Sequence, residues 1–430
     1  MTSHLTRRSR LGLLLGLAIV SAACGSAVSS AGQTPGTSAS SMGSNPQPSA
    51  GGSPISPDLA VYAAIEAQVE ANRGLRPTHP VTPVLLDAKG MSDWLTKINA
   101  EETDHQALAS ESRLFIHLGL LPAGSSLEQM ELELEVGQVV GFYDTVTKGL
   151  YVLSESGGVG PVEKVTFAHE YTHALQDQNF GLDKLATDTA DQGDRDLART
   201  ALPEGDASLS MTQWMLGNMS SAELVAVARD SSNAAQAQQL ASAPAILRES
   251  LLFPYDQGLA FVRAIYAKGG WAAVDRIYAD PPDSTSQILH PELYAAKVKP
   301  VPVAVPSVFA SVASGWKLTM QDTLGELQLR IWLEGENATD AATAAATSAT
   351  SAWAGDRVGL YEGPNGAWAV VLATSWRTPG GRAAFQKAAT SKSSRLPGPA
   401  VVCASADQVA LYVASDLTAL ESFAPCRPPL

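Results

Sequence analysis

Pro161-Val162-Glu163-Lys164-Val165-Thr166-Phe167-Ala168-His169-Glu170-Tyr171-Thr172-His173-Ala174-Leu175-Gln176-Asp177-Gln178-Asn179-Phe180 is the stretch from which the rest of this chain can be read. It holds two histidines four positions apart, with a glutamate after the first. A helix turns once in about 3.6 residues, so His169 and His173 share one face and can grip a single Zn²⁺. Glu170 projects from the neighbouring position, close enough to work on a coordinated water without ligating the ion. The flanks predict a helix: Gly157, Gly158 and Gly160 approach it, Pro161 suits a first helical position, and nothing breaks the pattern before Gly181. Val165, Ala168, Thr172 and Leu175 fall on or beside the histidine face, so this helix should be buried. The plainer alternative is a buried helix whose histidines only hydrogen-bond.

A catalytic zinc needs a third protein ligand and one open position. No further histidine lies nearby, so a carboxylate has to supply it, and Glu204 in Leu202-Pro203-Glu204-Gly205-Asp206-Ala207-Ser208 is the best placed. Asp206 and Ser208, within a turn of it, are expected to orient the histidines through hydrogen bonds. Residues 197–216 have a helical pattern that Pro203 interrupts, because proline removes a hydrogen bond and crowds the carbonyl four residues back. Either the helix kinks at the ligand or a new one begins there.

Upstream of the histidine helix, 139–144 and 149–153 are β-rich runs that read as a hairpin turning through Thr145-Val146-Thr147-Lys148. Such a strand is either structural or an edge that takes an extended peptide by adding it to the sheet. Helices are expected at 59–72, 91–100, 103–120 and 126–134. The aspartate-rich 181–196 lacks the frame of a calcium loop and reads as a solvated connector. Alanine-rich 222–252 and then 259–267 read as helical scaffold, with a turn at Gly269-Gly270-Trp271.

After about residue 300 the texture changes. A helix at 323–333, a low-complexity segment at 338–352, strands at 357–361, 367–373, 400–404 and 409–414, and a helix at 380–389 make a small α+β lobe. In an oxidising compartment Cys403 and Cys426 are most simply a disulfide, the alternative being two buried thiols.

Arg7, Arg8 and Arg10 precede an apolar run from 11 to 20 and then Ser21-Ala22-Ala23-Cys24, the pattern of an export signal. The cut site is similar to a bacterial lipoprotein box, with Cys24 as the lipidated first residue; Ser21 stands where a large aliphatic residue is usual, and plain secretion is the alternative. Residues 24–57 are nearly all small and polar, a composition expected to form a tether. The expected division is therefore signal 1–23, tether 24–57, catalytic region 58–300 and C-terminal lobe 301–430. With 43 acidic against 29 basic residues and a net charge of −14, no basic cluster points to nucleic acid as a partner.

His169-Glu170-Tyr171-Thr172-His173-Ala174-Leu175-Gln176-Asp177-Gln178 followed by Glu204-Gly205-Asp206-Ala207 resembles the gluzincin group of zinc metallopeptidases, thermolysin-like in logic. More narrowly the chain resembles a set of exported bacterial lipoprotein peptidases in which a Phe-Tyr-Asp hairpin, here Phe142-Tyr143-Asp144, precedes the zinc helix. That resemblance implies a mostly helical α+β fold with a zincin-like core, one Zn²⁺ on His169, His173 and Glu204, and Glu170 as general base. The 30 residues between His173 and Glu204 exceed the roughly 20 usual in thermolysin-like enzymes. The stretches around Tyr255 and His290 also look like parts of that set, and these two are the candidates for stabilising an oxyanion. The expected function is an exported zinc peptidase acting on a peptide or protein substrate and held to the membrane through Cys24. Its rivals are a non-catalytic, zinc-stabilised envelope lipoprotein and a hydrolase of some other amide, such as a cell-wall component.

Overall fold

The computed structural model describes residues 13–17, 59–154, 159–187, 191–230, 234–305 and 315–426. Cys24, the expected tether and Gly157 and Gly158 lie outside the described residues. In chain order the first part runs β1 (Leu13–Leu17), α1 (Leu59–Arg73), β2 (Pro83–Leu86), α2 (Ala88–Glu102), α3 (His105–His117) and α4 (Leu127–Gln138). The hairpin β3 (Val139–Asp144) and β4 (Gly149–Leu153) leads into the histidine helix α5 (Pro161–Phe180). Helices α6 (Gly193–Asn218), α7 (Ser221–Asp230), α8 (Ala234–Ser242), α9 (Ala245–Asp275), α10 (Thr285–Leu289) and α11 (Pro291–Ala295) follow. The lobe comprises β5 (Lys317–Asp322), α12 (Gly325–Glu334), α13 (Asp340–Thr350), β6 (Trp353–Glu362), β7 (Trp368–Trp376), α14 (Pro379–Ser393), β8 (Ala400–Ala404), β9 (Gln408–Ala414) and α15 (Leu417–Phe423). This is the mostly helical α+β class expected, with a five-stranded antiparallel sheet ordered β5-β6-β7-β9-β8 near the C-terminus.

Local chemistry explains the boundaries of the central helix. Pro161 occupies its first turn, where a missing N–H is harmless, and Gly181 closes it at φ 72°, a left-handed conformation that favours glycine. The helix packs against a small sheet ordered β1-β3-β4-β2. Within the hairpin Phe142 faces Tyr151, Lys148 turns the chain at φ 57°, and the Asp144 carboxylate accepts from Val146 N at 2.8 Å. Two strands of this sheet carried no sequence signal. β2 runs parallel to β4, and β1, drawn from the apolar run of the expected export signal, lies antiparallel along the outer edge of β3.

On its other side α5 rests on α1 and α6, through a core that includes Tyr62, Val69, Phe167, Leu175 and Trp214. Pro203 neither ends nor restarts a helix: α6 is one continuous element from Gly193 to Asn218. The turn expected at Gly269-Gly270-Trp271 is present: within α9 the backbone leaves helical geometry at Gly269 and Gly270, the latter at φ 61°, so the element is two helices joined at a kink. The segment 338–352, read only as low complexity, is the helix α13. Thr339 caps it by accepting from Ala342 N, and its small side chains let Ala346 and Ala349 bury against the neighbouring elements.

The connector 181–196 is not simply solvated. Asp191 pairs with Arg357, Gly193 N donates to Asp322 Oδ1 at 2.8 Å, and Asp194 is only 3% exposed. Asp194 Oδ1 accepts from Thr285 N at 3.1 Å and Thr285 Oγ1 at 2.5 Å, and Leu327 N donates to that hydroxyl at 3.2 Å. Asp191 thus docks the C-terminal lobe and Asp194 is buried against α10, whereas Asp183 is exposed. Other contacts join the same two regions. His117 stacks on Trp368 with ring centroids 3.7 Å apart, Trp332 Nε1 donates to Leu118 O at 3.0 Å, and one hydrophobic core runs from α3, α6 and α9 into α12, β6 and β7. Cys403 and Cys426 form a disulfide with Cα atoms 5.9 Å apart, tying the tail to β8.

Burial, assisted by the charges of Asp356 and Glu326, pushes the Asp194 carboxyl up to about 8, against hydrogen bonds from Thr285 that favour the charged form. The folded state therefore holds this proton more tightly than the unfolded chain, where the group titrates at 3.8. Its contribution to stability is full in acid and falls as pH rises from the ordinary carboxylate range towards about 8. Asp194→Asn keeps an acceptor for Thr285 and removes the titration. Its melting temperature relative to wild type is expected to climb between about pH 5 and pH 8. Asp194→Ala strands the Thr285 donors and is expected to cost about 1–3 kcal/mol in a denaturant titration at any pH in that range.

Candidate metal centre

His169 and His173 present their Nε2 atoms to one another at 3.0 Å, and Glu204 Oε2 lies 3.1 Å from the first and 3.4 Å from the second. Among the described residues these three form a cluster of donors able to hold a metal ion. The imidazoles come from one turn of α5 and the carboxylate from the middle of α6. All are shut away from solvent, at 4%, 0% and 1% exposure.

The donor set fits a divalent cation. Nitrogen and oxygen ligands about 2.0–2.2 Å from a tetrahedral ion stand roughly 3.3–3.6 Å from each other, within a few tenths of an ångström of the three separations. Two imidazole nitrogens and a carboxylate oxygen converging on one point is also an arrangement that otherwise needs a shared proton. Burial pushes Glu204 up, but the charge of His173 and hydrogen bonds from both imidazoles outweigh it and hold the carboxyl down to about 2. Burial alone would lower His173, yet the Glu204 charge lifts it to about 9, whereas burial keeps His169 below its usual value. A metal ion held here would take the place of any proton shared by the cluster.

Two glycines explain how α9 comes so close to the helix that carries Glu204. A Cβ on Gly205 would stand 2.2 Å from the backbone of Gly258 on α9, and one on Gly258 would stand 2.3 Å from Ala201 O. The two helices therefore touch backbone to backbone beside Glu204, a contact that no other residue allows. The same approach brings Tyr255, nearly one turn before Gly258, to within 3.2 Å of Glu204 Oε1, where its hydroxyl donates. Burial, then the charges of Glu204 and Glu170, push the Tyr255 phenol well above its usual value, so it stays protonated.

Glu170 is fully buried beside the first histidine. A Cβ added to Gly141 would meet Thr166 Cγ2 at 2.5 Å and Glu170 Cγ at 3.4 Å, so β3 crosses the helix directly under this carboxylate. Tyr143 Oη and Lys148 Nζ hold Asp177 at 2.9 and 2.6 Å, pinning the hairpin to the last turns of α5.

Other residues singled out from the sequence lie differently. Asp206 bonds neither histidine: Arg73 takes both its oxygens, at 2.7 and 2.9 Å, and Tyr278 Oη donates to Oδ2 at 2.7 Å. Arg73 is itself fully buried, also reaches Asp275 at 2.7 Å, and sits 4.3 Å from the ring centre of Trp271. A carboxylate two residues after a candidate ligand was thus claimed by a cation 133 positions earlier in the chain. Ser208 lies on α6, where its backbone carbonyl accepts from Thr212 Oγ1 at 2.8 Å. His290 turns to the C-terminal lobe, its Nε2 2.8 Å from Glu326 Oε1 on α12, and none of the three donors is among its hydrogen-bond partners. Two contacts the sequence reading passed over touch the site directly. Gln176 binds His173 Nδ1 at 2.9 Å, and Thr172 Oγ1 meets Ser210 Oγ on α6 at 3.3 Å. Gln176 was detectable in principle, because i+3 on the histidine face is a neighbouring position. Arg73 was not.

A domain of unknown function, DUF8575, matches residues 315–417, which span the C-terminal sheet and its helices. No curated protein matches the chain. Among solved structures, a protein from Chloroflexus aurantiacus described as a candidate hydrolase with a novel fold aligns over 56% of this chain and 88% of its own, at 19% identity and a TM-score of 0.34. So loose an overlap carries no argument about chemistry.

Asp206→Ala is expected to remove Arg73's main counter-charge and cost about 3–5 kcal/mol in denaturant unfolding. The folded fraction should still take up metal. If instead the variant loses metal with its stability unchanged, Asp206 acts on the histidines and not on Arg73.

Proposed function

We propose that this protein is an exported zinc-dependent peptidase. One observation carries the reading: two histidines and a glutamate, all buried, converge to 3.0–3.4 Å with the carboxylate of Glu170 on the adjacent position of the same helix. His169, His173 and Glu204 would hold Zn²⁺. When bound, the ion polarises a carbonyl and acidifies a water molecule in its open position.

Glu170 then serves as the base, taking the proton of the attacking water on its carboxylate and passing it to the departing amine. Tyr255 Oη, kept protonated by its surroundings, donates to Glu204 and is the chain's own candidate to hydrogen-bond the developing oxyanion. The hairpin supports a peptide as the substrate. The outer edge of β3 accepts an antiparallel strand, here Leu13–Leu17, and an extended peptide would add there by the same backbone hydrogen bonds once that segment has left. Export and lipidation at Cys24 would place the catalytic region outside the cytoplasm on a membrane anchor.

Purified protein is expected to carry about one zinc per chain and to cleave peptides. Glu170→Gln should lower turnover by about 10²–10⁴-fold while keeping its zinc, and His169→Ala should lose the metal. Zinc retained with no hydrolysis of any peptide or other amide would leave a binding lipoprotein in place of an enzyme. Failure of the wild type to bind zinc at all would overturn the proposal.

A further inference from the structure

We propose that Gln176 is a positioning residue that holds His173 in the one tautomer able to ligate through Nε2; this deepens the zinc-site reading above and rests on it. The side chain lies three positions after His173 on α5 and has no solvent exposure. Its Nε2 donates to Pro203 O at 3.0 Å, and its Oε1 is 2.9 Å from His173 Nδ1. A backbone carbonyl can only accept, so the amide must turn its NH₂ towards Pro203 and its oxygen towards the imidazole. That oxygen can also only accept, so Nδ1 carries the hydrogen and donates it.

With Nδ1 committed as the donor, Nε2 is left to offer its lone pair to an ion, and it is Nε2 that faces Glu204 and His169. The Pro203 contact adds a second effect. Pro203 precedes Glu204, so one amide joins the second histidine of α5 to the backbone carrying the third donor on α6. Only the bond to Nδ1 bears on the tautomer.

Two substitutions separate these effects in the full-length protein. Gln176→Leu and Gln176→Glu both lose the donor to Pro203 O, but Gln176→Glu keeps an acceptor for Nδ1–H. Zinc affinity by chelator competition should fall about 10–100-fold in Gln176→Leu and stay close to wild type in Gln176→Glu. The visible spectrum of the cobalt-substituted site should change only in Gln176→Leu. Equal weakening in the two variants, or none in either, overturns the proposal. ¹⁵N spectra of the metal-free protein give a reading that needs neither zinc nor turnover. The His173 Nδ1 proton is expected to exchange slowly with solvent in wild type and Gln176→Glu and rapidly in Gln176→Leu; rapid exchange in wild type overturns the assignment. A wild type that binds no zinc sinks the peptidase reading, and the ¹⁵N measurement still decides the role of Gln176.

Discussion

Two helices, α5 and α6, must lie so that imidazoles from one and a carboxylate from the other meet across 3.0–3.4 Å in a place closed to water. That is the constraint on which the rest of this region depends. A buried carboxylate without a compensating cation is strongly destabilising, and two buried imidazoles do not approach each other through nitrogen without a proton or an ion between them. The helices around the donors are correspondingly close-packed. The backbone contact of Gly205 with Gly258 sets the depth of α6 against α9. The Thr172–Ser210 and Gln176–Pro203 bonds join it to α5.

Around this centre a second charged group carries a different load. Arg73 ends α1 and reaches Asp206 on α6 and Asp275 on α9, so one guanidinium ties together three helices that are far apart in sequence. Stacking against Trp271 leaves its planar face in contact with an aromatic ring and away from water. Glu204 and Asp206 stand two residues apart on one helix and face opposite duties: the first offers its charge to the metal position, the second neutralises a structural cation. Their motif looks like a pair of ligands, and its two acids in fact belong to separate networks.

Among the described residues the C-terminal lobe supplies no donor to the candidate metal cluster, yet it is not a loose appendage. Its α12 binds His290 through Glu326, and its sheet receives Asp191 on Arg357 and His117 on Trp368. Burial lowers His117 to about 4, so that ring stacks as a neutral imidazole. A shared hydrophobic core links the lobe to α6 and α9, the two helices that position Glu204 and Tyr255. Through those helices the lobe packs against the elements that carry the site.

Local chemistry written in the chain was enough to place the histidine helix between Pro161 and Gly181, the hairpin before it, the disulfide and the two histidines, because each depends on spacing along one element or on a scarce residue type, whereas Glu204 followed from the need for a third ligand and from the resemblance of its motif. The continuity of α6 through Pro203 and the burial of Asp194 were not legible, since both are decided by what packs against them. So too were the partners of Asp206 and His290. A carboxylate or an imidazole states what it can bind, but which partner it binds depends on which distant segment arrives first with the complementary charge, and only the tertiary structure brings Arg73 to one and Glu326 to the other.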